Sequence, residues 1–210
     1  MVDKIDDNFY YEDNVAYDRV TRILNCFPKP ALYSWYAKYG LIKCKEIMKE
    51  ARRRGTEIHT AIHLNLKEDR HIQSIDEIVN NSINEFLVWK NANNPQPERL
   101  EYNVINKKDQ YGGTIDFIGK INGIRTIADW KSSGAIYEDY PLQLAAYLEA
   151  YEQMHPDEEP ILMGKIVVFR CDDEGHCKTM EETLHRERLK DLYSVFLAVK
   201  AIFEYKYRRK

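Results

Sequence analysis

Two aspartates and a lysine, Asp116, Asp129 and Lys131, lie in a pattern that would gather them at one place. The segments GTIDFIGKI and IRTIADWK are joined by Asn122-Gly123. Asn-Gly between two such segments is a strong hairpin signal, because a type I′ turn needs φ > 0 at both central residues. With those two in the turn, Ile121 faces Ile124, Lys120 faces Arg125, Ile118 faces Ile127, Asp116 faces Asp129 and Thr114 faces Lys131. Asp129 and Lys131, two apart on one strand, point the same way. Directly opposed carboxylates repel one another, and a divalent cation would offset the repulsion. Mg²⁺ or Mn²⁺ held there would polarise a phosphoryl group and make hydroxide accessible near neutral pH. Lys131 would orient the attacking water, or help deprotonate it if burial lowers its pKa. The plainer alternative is a pair of solvent-facing aspartates offset by Lys131.

Other polar groups could join them. In GTEIH, Gly55 interrupts a helical segment at a cost of about 1 kcal/mol against Ala, which suggests close approach by a backbone or ligand. His59, one turn on, is a candidate metal ligand or phosphate contact, against a surface or satisfied core histidine. His63 could pair with it on zinc, but no third ligand matches. Gln143 and Tyr147 share a helix face at i, i+4 spacing. They offer hydrogen bonds and an aromatic surface, or are ordinary amphipathic patterning. Arg52, Arg53 and Arg54 close the basic run KCKEIMKEARRR, and YKYRRK ends the chain. Both runs could contact phosphates or be solvated helix faces.

The elements that must position these groups follow from periodicity and punctuation. At 210 residues one domain is expected (1–210), mainly helical over 1–97 and an α/β core over 98–210. Asp18 is placed to cap a short helix to about Phe27. ALYSWYAKY forms a second helix to Gly40, and long helices cover about 42–65 and 76–93. Strands follow at LEYNVI, GTIDFIGKI and IRTIADW, then a helix opening at Pro141. The strand ILMGKIVVFR, a hairpin loop CDDEGHCK with a further strand, and a helix over about 186–206 complete the chain. The expected architecture is α/β, a central mixed sheet flanked by helices, with a helical N-terminal region.

Composition narrows the function classes. Hydrophobic residues at 44% and charged residues at 31% fit a soluble globular protein. No apolar run approaches the roughly 20 residues that span a bilayer, and the acidic start MVDKIDDNFYYEDN is not expected to be a signal peptide. A formal net charge of −3 excludes general coating of DNA, so nucleic-acid contact would need a local basic patch. Cys26, Cys44, Cys171 and Cys177 show no framework spacing, and reduced thiols in a cytoplasmic protein are expected.

The chain order GTEIH, GGTID, DWK, QLAAY resembles the RecB-like branch of PD-(D/E)XK nucleases. That branch includes phage-type and mitochondrial genome-maintenance exonucleases, and its core is restriction-endonuclease-like. RVTRILNCFPKPALYSWYAKYG also resembles the N-terminal region of those members, so the likeness spans roughly residues 19 to 205. It implies that His59, Asp116 and Asp129 are metal ligands, joined by the Trp130 carbonyl, and that Lys131 is the catalytic lysine. It implies that Gln143 and Tyr147 position substrate and orient that lysine, and that Glu101 is an acidic residue near the site. Ile115 stands where the superfamily name has proline, as is common in the branch. Iron–sulfur members use one N-terminal cysteine and a closely spaced C-terminal trio. With no CxxC here, no cluster is expected. The implied function is a Mg²⁺- or Mn²⁺-dependent exonuclease acting on DNA with a free end, with Arg52, Arg53 and Arg54 as phosphate contacts. A DNA endonuclease and a non-catalytic nucleic-acid-binding protein on the same fold are the alternatives.

Overall fold

The computed structural model describes residues 3–4, 8–172 and 174–207. The chain runs β1 (Asp3–Lys4), β2 (Phe9–Glu12), β3 (Val15–Arg19), α1 (Val20–Ile23), a 3₁₀ turn, α2 (Pro30–Tyr39), α3 (Leu41–Glu68) and α4 (Glu77–Asn93). Then come β4 (Gln96–Asn106), β5 (Tyr111–Ile121), β6 (Ile124–Lys131), α5 (Asp139–Met154), β7 (Met163–Cys171), β8 (Cys177–His185) and α6 (Arg186–Tyr207). All eight strands belong to one mixed sheet, ordered β1-β2-β3-β5-β6-β7-β8 with β4 on the other edge of β5. The expected α/β architecture is therefore present.

Strands β6 and β7 are buried on both sides because helices cover both faces of the sheet. On one face Ile118, Ile127 and Ile166 pack with Leu144, Leu148 and Phe196 of α5 and α6. On the other, Phe117, Ala128, Trp130 and Phe169 pack with Ile58, Ile62, Phe86 and Trp89 of α3 and α4. Helix α4 starts where Asp76 accepts the Ile78 N–H at 3.0 Å, a cap worth about 1 kcal/mol.

Three expectations need correction. Residues 9–19 are strands: Asp13 (φ 50°) and Asn14 (φ 63°) turn β2 back onto β3. Asp18 therefore caps nothing. It is 3% exposed in β3, ion-paired with Arg22, and α1 has no side-chain cap. Cys171 and Cys177 are joined in a disulfide, because the β7–β8 hairpin pairs them directly, with Cα atoms 4.1 Å apart. Their expected reduced state is thereby corrected, while Cys26 and Cys44 are free thiols. No helix of the described residues is long and apolar enough to cross a membrane.

At the sheet end away from the site, Glu158 ties the α5–β7 connection to the strands. It accepts from Tyr151 Oη at 2.6 Å, from Arg125 at 2.7 Å and from Arg99 at 2.6 Å. Those bonds hold its carboxyl down at about 2 against an ordinary 4.5. A depressed folded-state pKa gives stability present above pH 4.5 and lost as pH falls toward 2. Glu158→Gln should cost roughly 1.5–3 kcal/mol at neutral pH, the range for hydrogen bonds to charged groups. Thermal melts should show the deficit closing as pH falls through that window.

Candidate active site

The site lies at a fork in the sheet. Strand β5 carries β4 along one edge. On its other edge it pairs with β6 over Phe117–Ile121 and with β3 at Tyr111 and Gly112. The hairpin turn is as the sequence predicts, with positive φ at Asn122 (51°) and Gly123 (81°), and Ile121↔Ile124 through Ile118↔Ile127 are in register. The ladder then ends at Phe117↔Ala128, so Asp116 and Asp129 are not a registered pair. Instead the Asp116 carboxylate accepts the Trp130 N–H at 2.7 Å, a donor that a continuing ladder would give to a backbone carbonyl. The fork opens a cleft of about 610 Å³ whose lining includes His59, Glu101, Asp116, Asp129, Lys131, Gln143 and Tyr147.

Each side chain arrives from a separate element. Helix α3 brings His59, whose Nδ1 is 3.7 Å from Asp116 Oδ2. Gly55 lies one turn earlier, where an added Cβ would stand 3.1 Å from Ser132 Oγ. The group nearest that glycine is a side chain of the segment after Lys131, where the sequence suggests a backbone or ligand. Helix α5 brings Gln143, which works in both directions. Its Nε2 donates to Asp129 Oδ1 at 3.1 Å and to Tyr147 Oη at 3.0 Å, and its Oε1 accepts from Lys131 Nζ at 3.2 Å. The other Asp129 oxygen, Oδ2, is 2.6 Å from Lys131 Nζ. The two form a buried ion pair.

Charge and burial set the protonation states. Burial, reinforced by Asp116 and opposed by Lys131, pushes the Asp129 carboxyl up to about 6. For Lys131, burial favours the neutral amine, but the Asp129 and Asp116 carboxylates outweigh it and the net shift is upward. That upward shift favours the ammonium form of Lys131 beside the two ionised carboxylates. Burial holds the Tyr147 phenol well above its ordinary value, so it keeps its proton.

One atom each from His59, Glu101 and Asp116 lie within 4.8 Å of one another. An imidazole beside two carboxylates is a hard, mostly oxygen donor set suited to a divalent cation, and the buried Asp129 carboxyl lines the same cleft. Glu101 reaches the group because its backbone is left-handed (φ 47°), a conformation uncommon for a non-glycine residue and concentrated at functional sites. Pairing of β4 with β5 resumes on either side, at Leu100↔Phe117 and Tyr102↔Ile115. Residue types alone do not mark such a break in strand alternation. The Trp130 indole is 2% exposed in the α3–α4 core, and Trp130 does not line the cleft. Its backbone N–H is given to the Asp116 carboxylate.

Arg52, Arg53 and Arg54 do not line the cleft either. Arg53 is ion-paired with Glu50, Glu57 and Asp76, and Arg54 with Glu50 and Asp76. Tyr10 and Arg19, unmarked in the sequence reading, do line it. The Tyr10 hydroxyl is 2.7 Å from Thr114 Oγ1, and the Arg19 guanidinium is 5.6 Å from the Tyr10 ring centre. The Asp13-Asn14 turn was the available signal for the hairpin that delivers them.

Gly113 makes room for Tyr147: a Cβ there would sit 2.2 Å from Tyr147 Cε1. Gly113→Ala should therefore cost about 1–3 kcal/mol through overpacking. Combined with Tyr147→Ala it should cost clearly less than the sum of the two, by melts of a double-mutant cycle. Additive losses would mean that the ring is not what Gly113 accommodates.

No family model matches this sequence, and comparison with curated proteins finds no match. Among solved structures, an alkaline exonuclease from Laribacter hongkongensis is 12% identical with a TM-score of 0.44, over 91% of this chain and 92% of that one. The same exonuclease in complex with dAMP aligns over the same shares at 14% identity and TM-score 0.44. At these identities and scores the likeness is a partial one of fold.

Proposed function

We propose that the chain is a divalent-metal-dependent nuclease that hydrolyses phosphodiester bonds of DNA from a free end. The observation that supports this best is the meeting of His59, Glu101 and Asp116 with the Asp129–Lys131–Gln143 cluster in one cleft. His59, Glu101 and Asp116 would hold Mg²⁺ or Mn²⁺, with Asp129 facing the same space. A bound divalent cation neutralises charge on the phosphate and makes hydroxide accessible near neutral pH.

The rest of the chemistry belongs to the chain. Lys131, held as an ammonium between Asp129 and Gln143, orients the attacking water and stabilises charge developing on the phosphoryl oxygens. Gln143 fixes the positions of Asp129 and Lys131 together, and Tyr147 anchors Gln143 from behind. Arg19, beside the Tyr10 ring, faces the cleft as a phosphate contact.

The test is incubation with end-labelled linear DNA and with covalently closed circles, in Mg²⁺, in Mn²⁺ and in chelator. Metal-dependent loss of the linear DNA with circles spared is the expected result. Rapid nicking of circles would make the enzyme an endonuclease, and no cleavage of either would remove the nuclease reading.

A further inference from the structure

Helix α2 and the first half of α3 stand off the body of the protein. Helix α2 has no buried residue, and α3 has one, Cys44, before Ile58. At 1.5 Å per residue the stretch from Leu41 to Arg54 is about 20 Å long. The same helix then enters the cleft with Gly55, Thr56 and His59.

The arm has its own chemistry. Residues 29–54 hold eight Lys or Arg and two Glu, a net +6 in a chain of net −3, which leaves −9 elsewhere. Among the described residues Lys38, Lys43, Lys45, Lys49 and Arg52 have no carboxylate within ion-pair distance, while Lys29, Arg53 and Arg54 do. Aromatic rings are interleaved with these cations. Tyr33 is 65% exposed and Tyr39 40%, and Lys38 and Lys43 lie 4.8 and 5.6 Å from the Tyr39 ring centre. Solvated lysine faces do not need exposed tyrosines. A duplex would use the cations and leave the rings idle, since its base faces are hidden. Rings alternating with unpaired cations suit a strand whose bases can stack while its phosphates are neutralised.

We propose that the α2–α3 arm binds a single-stranded polynucleotide, stacking bases on Tyr33 and Tyr39 and holding phosphates with Lys45, Lys49 and Arg52, which share with Thr56 and His59 one face of α3. The strand then follows α3 so that its end enters the cleft. This rests on the nuclease reading and adds to it that the substrate is presented single-stranded.

Fluorescence anisotropy with a labelled oligothymidylate, in chelator and over a series of salt concentrations, tests the arm without hydrolysis. Tyr33→Ala with Tyr39→Ala should weaken binding about tenfold or more. Replacing Lys45, Lys49 and Arg52 by Gln should lower the slope of log affinity against log salt by about 2, at roughly 0.7 per contact for single strands. A blunt duplex of equal length should bind more weakly and be indifferent to the tyrosine changes. Melts of the variants should match the parent, because these side chains are exposed. Unchanged oligonucleotide affinity in the tyrosine variant would overturn the proposal, as would duplex binding as tight as single-strand binding. So would a parent dimer that Leu41→Asp with Ile42→Asp dissociates in sedimentation with neither form binding the oligonucleotide, since the arm would then join two copies of this chain. Metal-dependent cleavage by the parent protein reports on the cleft separately, so either idea can fail while the other stands.

Discussion

In chelating buffer at pH 8, Asp129→Asn is expected to melt at least as high as the parent, while hydrolysis measured in Mg²⁺ falls by about 10²–10³-fold or more, the scale for losing one preorganised electrostatic group. Asp129 is 2% exposed, and burial raises its carboxyl to about 6. A folded-state pKa above the unfolded value of 3.8 means that the native state binds the extra proton between about 4 and 6. Stability contributed by the protonated form is thus present below pH 4 and lost as pH rises through 6. At pH 8 and without metal, the amide removes the repulsion between two buried carboxylates, and Lys131 keeps Asp116 as its counter-charge. The amide still has an oxygen to accept from Gln143 or Lys131. Added Mg²⁺ or Mn²⁺ should raise the parent's melting temperature in proportion to affinity and leave the variant's unchanged. A variant that melts several degrees below the parent in chelator would mean that Asp129 is held for structure, not for a cation. Asp116 should behave differently. Its carboxylate satisfies the Trp130 N–H, so Asp116→Ala should cost about 1–3 kcal/mol with or without metal, whereas Asn keeps an acceptor there.

Lys131→Met should lower the hydrolytic rate by about 10²–10³-fold, with a stability loss that depends on pH. The ammonium is ion-paired with Asp129 at 2.6 Å and lies 4.8 Å from the Tyr140 ring centre. Removing it leaves a buried carboxylate without its cation, a loss of up to about 3–5 kcal/mol where the charge persists. At pH 5 Asp129 can take up a proton and escape most of that penalty, so melts in chelator should differ from the parent far more at pH 8. Lys131→Arg should not restore activity, because the planar, longer guanidinium cannot occupy the point-charge position between Asp129 and Gln143. Activity within a few-fold of the parent in Lys131→Met would remove this residue from the chemistry. An equal stability loss at both pH values would contradict the raised Asp129 carboxyl.

Much of the frame was legible because local rules act over short distances. The Asn122-Gly123 turn set the β5–β6 register for five pairs, since few other residues accept two successive positive φ values. The i, i+4 spacing placed Gln143 and Tyr147 on one face of α5, where they hydrogen-bond to each other. The N-terminal hairpin escaped notice because Asp13-Asn14 is a weaker turn signal than Asn-Gly. The paired state of Cys171 and Cys177 depended on a hairpin register that six residues of spacing do not specify.

The sequence by itself determined which residues carry the candidate chemistry and which strands and helices bear them, because hydrogen-bonding periodicity and turn stereochemistry are properties of a few neighbouring residues. Tertiary structure decided how those residues meet. Asp116 could have opposed Asp129 across a ladder. It accepts the Trp130 N–H instead, where β6 parts from β5. Glu101 enters the ligand group through one left-handed residue within β4. Lys131 keeps its proton because two buried carboxylates outweigh desolvation, and Arg53 and Arg54 face acids of α3 and Asp76 instead of the cleft. Each outcome balances burial, charge and hydrogen bonding among residues distant in the chain, and no local pattern encodes that balance.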